Sequence, residues 1–192
     1  MKSLSKLIKI KGDASYREFY RNKKNKSIII FSKKEKNKNL LIYDAINKIL
    51  NKNKLLAPKL ITENYSNNII EIEDFGEHTI FDILKNKKKN KYSTFKEIIK
   101  ILNKLQNIND KKIINFRNKI YYLKEYKKKI LFDETKLFCD WYVPKKLSKL
   151  KKLEFNKKFK LEIKKLILIL NLKNNTFVHR DFHVSNMMYQ NK

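Results

Sequence analysis

The chain has 192 residues, of which 42% are hydrophobic and 12% aromatic, and this is enough to bury the core of one sizeable domain or two small lobes. The composition therefore excludes wholesale disorder. The net charge of +28, from 47 basic and 19 acidic residues, ordinarily indicates a nucleic acid, an anionic membrane or an anionic substrate as the partner.

Lysine carries almost all of the excess positive charge. Recognition of bases and phosphates favours the bidentate guanidinium of arginine, and the arginines are limited to Arg17, Arg21, Arg117 and Arg180. Lysine, asparagine and isoleucine share A/T-rich codons, so a base bias in the gene explains the lysines without a polyanionic partner. We therefore predict no specific nucleic-acid partner, although nonspecific binding to polyanions is expected from the charge.

The cellular compartment is predicted from the cysteine content and from the length of the apolar runs. Cys139 is the only cysteine, so an internal disulfide is excluded, and the first twelve residues lack the apolar core of a signal peptide. The longest apolar run, at residues 166–170, is far shorter than the roughly 20 residues that cross a bilayer. The sequence predicts a cytoplasmic protein without a membrane span.

Alternating apolar residues predict an antiparallel sheet in the first 75 residues. The strands are predicted at residues 8–10, 16–21, 27–32, 61–63 and 69–73. A turn at residues 12–15 joins the first two. Apolar residues at helical spacing between Leu40 and Leu50 predict one amphipathic helix before Pro58. The pattern changes at Gly76, where we expect a domain boundary.

Helical periodicity follows Gly76. Helices are predicted at residues 80–84, 95–105, 117–132 and 161–172. Thr94 and Glu97 have the spacing of a capping box for the second of these helices. The last helix has few polar positions and is predicted to be buried against the loop that follows it. Two lysine-rich segments, residues 85–91 and 145–158, are predicted as solvated loops or helix ends.

The most informative segment is residues 179–186. It follows a turn signal at residues 174–175 and a β-prone run at residues 176–178. Asp181 and Asn186 lie five residues apart in it. In kinase-like phosphotransferases such an aspartate deprotonates the attacking hydroxyl, and the asparagine oxygen holds magnesium. We expect His179 to fix the loop through backbone contacts, and His183 has a weaker claim to a role. Taken alone, the segment fits an ordinary polar loop equally well.

Residues 12–21, Gly-Asp-Ala-Ser-Tyr-Arg-Glu-Phe-Tyr-Arg, resemble the phosphate-loop hairpin of one branch of the aminoglycoside phosphotransferase-like family. That branch comprises the anomeric sugar kinases acting on N-acetylmuramate and N-acetylglucosamine. Residues 57–60, 69–76 and 138–144 resemble the same branch in the same order. The resemblance implies a protein-kinase-like α+β fold, with an antiparallel N-lobe sheet and one helix in residues 1–75. Residues 76–192 would form an incomplete, mostly helical C-lobe.

The resemblance also implies ATP and Mg²⁺ as cofactors and a small-molecule substrate, a sugar in the first instance, with Asp181 as catalytic base and Asn186 as magnesium ligand. ATP contacts are expected from Gly12, Asp13, Ser15, Lys33, Glu73 and Phe75, and substrate contacts from Asp140 and Trp141. The third strand contains no lysine, so Lys33 and Lys34 are only adjacent candidates for the phosphate-binding lysine. Trp141 fits core packing equally well.

One family feature is missing. In the family, a segment resembling Asp-Phe-Gln-Asp-Ala follows the catalytic loop, and its first aspartate is the main magnesium ligand. The chain reaches Lys192 without it, so we expect a C-terminally truncated chain that is a poor kinase. Residues 74–76 spell Asp-Phe-Gly, the metal motif of protein kinases, but lie about a hundred residues before the catalytic loop and are interpreted as the hinge between the lobes.

Two alternatives stay open at this point. The first is a kinase for a different small alcohol, such as choline, homoserine or an aminoglycoside, because the chemistry of Asp181 and Asn186 is shared by all of these. The second is a non-catalytic remnant, or a basic protein that holds polyanions nonspecifically.

Overall fold

The computed structural model describes residues 7–10, 16–35, 38–170 and 176–190. These residues form an α+β structure, which confirms the predicted class. The chain divides into two compact units. The first unit contains the described residues up to Leu123 and those from His179 onward, and the second is Lys124–Val178.

A five-stranded antiparallel sheet organises the first unit, in the spatial order β1-β2-β3-β5-β4. Its strands are β1 (Ile8–Ile10), β2 (Arg17–Asn22), β3 (Ser27–Ser32), β4 (Leu60–Asn64) and β5 (Ile69–Glu73). All five predicted strands are confirmed within a residue at either end. The turn predicted at residues 12–15 lies outside the described residues.

The core of this unit lies between the sheet and helix α1 (Asn39–Lys52). Register pairs Ile28 with Ile72 and Ile30 with Ile70, so four isoleucines face the same side. Leu40 of α1 packs against this group and is fully buried, as are Ile30 and Ile70. Each such side chain stabilises the fold by about 1.5–3 kcal/mol. The predicted amphipathic helix is confirmed.

Two helices follow Gly76, and the N-terminus of each is capped by a side chain. Helix α2 (Ile80–Lys85) begins with a capping box, in which Thr79 Oγ1 accepts from the Asp82 N–H and Asp82 accepts from the Thr79 N–H. Helix α3 (Lys91–Gln106) is capped by Asn90, which accepts a hydrogen bond from the Ser93 N–H at 3.1 Å. The predicted Thr94–Glu97 box is therefore wrong, because Thr94 already lies inside the helix.

The helix predicted at residues 117–132 is wrong over its first part. A hairpin of β6 (Lys112–Ile114) and β7 (Ile120–Tyr122) lies here, and its second strand occupies part of the predicted helix. Asn115 shapes its turn, since Oδ1 accepts from the N–H groups of Arg117 and Lys119. The buried carboxylate of Asp44 on α1 accepts from the Phe116 N–H at 2.8 Å and holds the hairpin against that helix.

The second unit contains α4 (Lys128–Leu137), a π-helical turn (Phe138–Tyr142), a 3₁₀ turn (Val143–Lys145) and α5 (Lys149–Ile169). Four aromatic rings contact one another in this unit, and three of the four ring pairs are stacked: Phe138, Tyr142, Phe155 and Phe159.

Two expectations about α5 are corrected. The helix starts inside the lysine-rich segment that was predicted as loops or helix ends. Its apolar C-terminal half is not buried, because Ile167 is covered whereas Leu168 and Ile169 are 72% and 80% exposed. None of the helices in the described ranges is long and apolar enough to cross a bilayer.

Candidate functional site

The segment that contains Asp181 is an irregular loop whose exit is fixed to the start of α2. The Ile80 N–H donates to the Met187 carbonyl at 2.8 Å, and the Tyr189 N–H donates to the His78 carbonyl at 2.9 Å. An antiparallel bridge joins Thr79 to Met188 between these bonds. The strand predicted at residues 176–178 is wrong, because that stretch pairs with no strand of the described residues.

The loop brings Asp181 and Asn186 together. A 3₁₀ turn (Val184–Asn186) returns the chain, and the Asn186 N–H donates to the His183 carbonyl at 3.0 Å. Asn186 Nδ2 then donates to Asp181 Oδ2 at 2.6 Å and to the Asp181 carbonyl at 3.1 Å. Because the amide nitrogen faces Asp181, the amide oxygen of Asn186 stays available, and it accepts no hydrogen bond from the described part of the chain.

His183 holds the other oxygen of Asp181. Its Nδ1 accepts from the Ser185 N–H at 3.3 Å. Nε2 lies 3.1 Å from Asp181 Oδ1 and 3.1 Å from Asn186 Nδ2, and it donates to Asp181 when it carries the ring proton. The sequence favours His179 over His183 and does not predict this contact, although the place of His183 two residues after Asp181 on the same loop is a usable signal.

His179 packs inside the loop. Its ring meets that of Phe182 edge to face, with the centroids 5.9 Å apart. The side chain keeps solvent exposure, but desolvation by its neighbours lowers the pKa of the imidazole below its usual value, although the charge and a backbone hydrogen bond of Asp181 act to raise it. The backbone contact agrees with the structural role expected for His179.

Arg180 has a left-handed backbone, with φ of 67°. This conformation costs a non-glycine residue about 1–2 kcal/mol, and such strain is concentrated at functional sites. The strained residue immediately precedes Asp181 in the chain.

The structure describes only some of the residues expected to contact ATP. Gly12, Asp13 and Ser15 lie outside the described residues. Lys33 follows directly after β3, and its ammonium group is paired with Glu18 of β2. The hydrogen bond from Lys33, followed by that from the Tyr20 hydroxyl, lowers the pKa of Glu18 to about 2. Lys33 is therefore held by a carboxylate on the sheet.

Glu73 and Phe75 line a groove of about 350 Å³ at the end of β5. Lys59, Asp74 and Gln190 also line it, so the groove joins the end of the sheet to the exit of the Asp181 loop. The Glu73 carboxylate accepts from the Lys59 N–H at 3.0 Å and thereby helps to fix the neighbouring segment.

Arg21 fixes the segment after β5, a role that was not predicted from the sequence. Its Nε and Nη2 lie 2.6 and 3.1 Å from the two oxygens of Asp74, and both side chains are largely buried. Nη2 also donates to the carbonyl of Gly76, whose φ of 95° suits glycine. The presumed hinge at residues 74–76 is therefore clamped to β2.

Asp140 and Trp141 lie in the second unit, on its π-helical turn. Trp141 is 70% exposed, so it is not packed in a core. Asp140 is exposed beside it and forms no ion pair with the described residues. Single π-helical turns occur frequently at functional sites.

The loop thus presents a carboxylate with both oxygens oriented, a free amide oxygen and two imidazoles. Within the described residues, no group of three or more histidine, cysteine, aspartate or glutamate side chains is arranged to hold a metal ion. No protein-family model matches this chain, and no curated protein matches it either. What the site can do is therefore argued from its own residues.

Proposed function

We propose that the chain is a phosphotransferase of kinase-like fold, similar to the aminoglycoside phosphotransferase family, that moves the γ-phosphoryl group of ATP to a sugar hydroxyl. The observation that carries the proposal is the 2.6 Å contact of Asn186 Nδ2 with Asp181 Oδ2. The antiparallel sheet with α1 on one face supports an N-lobe at residues 1–75, and the helices after Gly76 support a C-lobe.

Asp181 is the proposed base. Each carboxylate oxygen has two lone-pair directions, and His183 and Asn186 engage one direction on each oxygen. The remaining directions are open, since the Asp181 side chain is 71% exposed. A substrate hydroxyl that approaches there is oriented by the carboxylate and can transfer its proton to it.

The donor set fits magnesium only in part. Asn186 offers one neutral oxygen, which suits a magnesium ion that is held mainly by nucleotide phosphates and water. When bound, the ion neutralises negative charge on the phosphoryl group in transfer. Asn186 also has a positioning role that does not involve the metal ion. Its amide nitrogen fixes the direction of the Asp181 carboxylate.

Two exposed residues of the second unit, Asp140 and Trp141, suit a sugar as a ligand of that unit. An exposed indole face suits stacking on a sugar ring, and a neighbouring carboxylate suits hydrogen bonds to its hydroxyls. We propose an amino sugar phosphorylated at its anomeric hydroxyl, as in the branch that the motifs resemble.

Asp181→Asn tests the proposal. We expect the magnesium-dependent transfer that the chain supports, from ATP to N-acetylmuramate or N-acetylglucosamine, to be lower by about 100-fold or more in this variant, because the base is removed. Binding of ATP, followed with a fluorescent analogue, should change by less than about twofold, since the substitution nearly preserves shape. Asp133→Asn on α4 is the matched control and should leave transfer unchanged.

A panel of acceptors separates the substrates. Transfer to choline, homoserine or an aminoglycoside in preference to amino sugars would keep the phosphotransferase proposal and replace its substrate. Transfer that survives Asp181→Asn undiminished, or a chain that binds no ATP at all, would overturn the proposal.

A further inference from the structure

We propose that a second site on the first unit binds a small oxyanion. A cavity of about 260 Å³ lies beside α2 and is lined by His78, Ile83, Lys88, Lys89 and Tyr189. The proposal does not depend on the proposed function, because none of the lining side chains contacts Asp181 or Asn186, and only the backbone bond between Tyr189 and His78 is shared with the exit of the Asp181 loop.

Backbone geometry builds the cavity. Lys87, just after α2, has a left-handed backbone with φ of 52°, and the chain turns back so that the Lys88 N–H bonds the Ile83 carbonyl at 3.1 Å. This turn places Lys88 and Lys89 beside the buried side chain of Ile83. On the opposite wall, the bond from the Tyr189 N–H to the His78 carbonyl fixes those two residues side by side.

The cavity has positive charge without compensation from its own lining. Lys88 and Lys89 form no ion pair with the carboxylates of the described residues. Of the nearby acids, Asp82 is engaged in the capping box with Thr79, which lowers the pKa of its carboxyl, and Glu77 is paired with Arg21 at 3.2 Å. Two lysines beside a concave, partly apolar wall raise the local concentration of anions.

One of the two lysines has an aromatic contact within the cavity lining. Lys89 Nζ lies 5.5 Å from the centre of the Tyr189 ring, which favours a position of the ammonium group at the cavity wall. The volume suits one phosphate or carboxylate group with a small attached body. The ammonium groups act as point charges, and the imidazole of His78 and the hydroxyl of Tyr189 supply directional hydrogen bonds.

Titration of the full chain with inorganic phosphate, and separately with acetate, tests the site. We expect saturable binding of at least one of them at low ionic strength, with amide NMR shifts at Lys89 and Tyr189. The double variant Lys88→Gln/Lys89→Gln should weaken that binding at least tenfold. Its control, Lys111→Gln/Lys112→Gln, removes the same charge from exposed positions at β6 and should change binding by less than twofold.

Preference for phosphate would identify a phosphorylated ligand, and preference for acetate a carboxylated one. Equal loss of binding in both double variants would show attraction by net charge alone and overturn the site, as would the absence of saturable binding of either anion. Asp181→Asn should leave this titration unchanged, so failure of the site and failure of the phosphotransferase proposal are separately visible.

Discussion

Glu18 lies at the centre of a small cationic cluster on β2. Lys33 pairs with one of its oxygens, and Tyr20 and Lys9 contact the other. These contacts favour the ionised carboxylate and lower its pKa from 4.5 to about 2. Because the pKa is lower in the folded state, this stabilisation is complete above pH 4.5 and is lost as the pH falls toward 2.

The same contact tests whether Lys33 is free to hold phosphate. We expect Lys33→Met to raise the pKa of Glu18 from about 2 back toward 4.5, because the hydrogen bond from Lys33 is the largest cause of the shift. The side-chain carboxyl carbon of Glu18, followed by NMR between pH 1.5 and 6 or so, reports it directly. Lys24→Met, in the turn between β2 and β3, is the control. An unchanged Glu18 midpoint in Lys33→Met would show that the pair does not form.

Arg21 should be the most consequential arginine for stability. Arg21→Ala leaves the largely buried Asp74 carboxylate without its partner, which costs about 3 kcal/mol in the free energy of unfolding. Arg21→Lys keeps the charge but loses the two parallel bonds and should fall between the wild type and Arg21→Ala. Urea unfolding measures all three.

Arg117→Ala is the matched control, because Arg117 is about half exposed and lies 3.8 Å from Glu63. An exposed pair of this kind contributes about 1 kcal/mol or less. Equal losses for the two arginines would show that the Arg21–Asp74 pair is not a structural clamp.

At the scale of the elements, helices α1 and α2 end in the same unusual way. In both, the residue after the C-cap is a lysine in the left-handed region, Lys54 and Lys87, with φ of 57° and 52°. The Leu55 N–H reaches back to the Leu50 carbonyl, and the Lys88 N–H to the Ile83 carbonyl, which is the Schellman pattern. Glycine is the usual residue at this position, because it adopts positive φ without strain.

Lys54→Gly should therefore stabilise the first unit by about 1 kcal/mol, since the left-handed strain disappears while the backbone bonds remain. Lys96→Gly is the control within a helix. Lys96 is exposed in the middle of α3, where glycine costs about 1 kcal/mol. The two unfolding midpoints should move in opposite directions, and a loss of stability in Lys54→Gly would refute the assigned backbone conformation.

Elements with a strong repeat were predictable, and short or tertiary features were not. Alternation in β3 and helical spacing in α1 predicted both elements, because each buries one face against the other. Strands β6 and β7 read Lys-Ile-Ile and Ile-Tyr-Tyr, without the alternation that marks β1, so β6 was not predicted and a helix was predicted over β7. At the site, Asp181 and Asn186 share one loop and their approach was predictable. Arg21 and Asp74 lie 53 positions apart, and only the folded sheet brings them together.

On the scale of the whole molecule, the two units differ in how much apolar surface they bury. In the first, Ile30, Leu40 and Ile70 are completely covered between sheet and helix. In the second, the buried hydrophobic residues of the described chain are Cys139, Val143 and Ile167. Large apolar side chains of α5 remain exposed: Leu150, Leu153, Leu161, Leu166, Leu168 and Ile169. Burial of apolar surface is the main source of stability, so the second unit should be the weaker.

Hydrogen exchange followed by mass spectrometry tests this difference. We expect amides of α5 to exchange at least about 100-fold faster than those of β3 and β5, because a helix with little buried surface opens at a small free-energy cost. Helix α3 supplies a matched control, since it is also a long, lysine-rich helix but has Ile98 and Leu105 buried in the first unit, and its protection should lie between the two. Protection of α5 equal to that of β3 would mean that its exposed leucines are covered in solution. Repeating the exchange over a range of protein concentrations would then show whether a second copy of the chain covers them, because such protection rises with concentration.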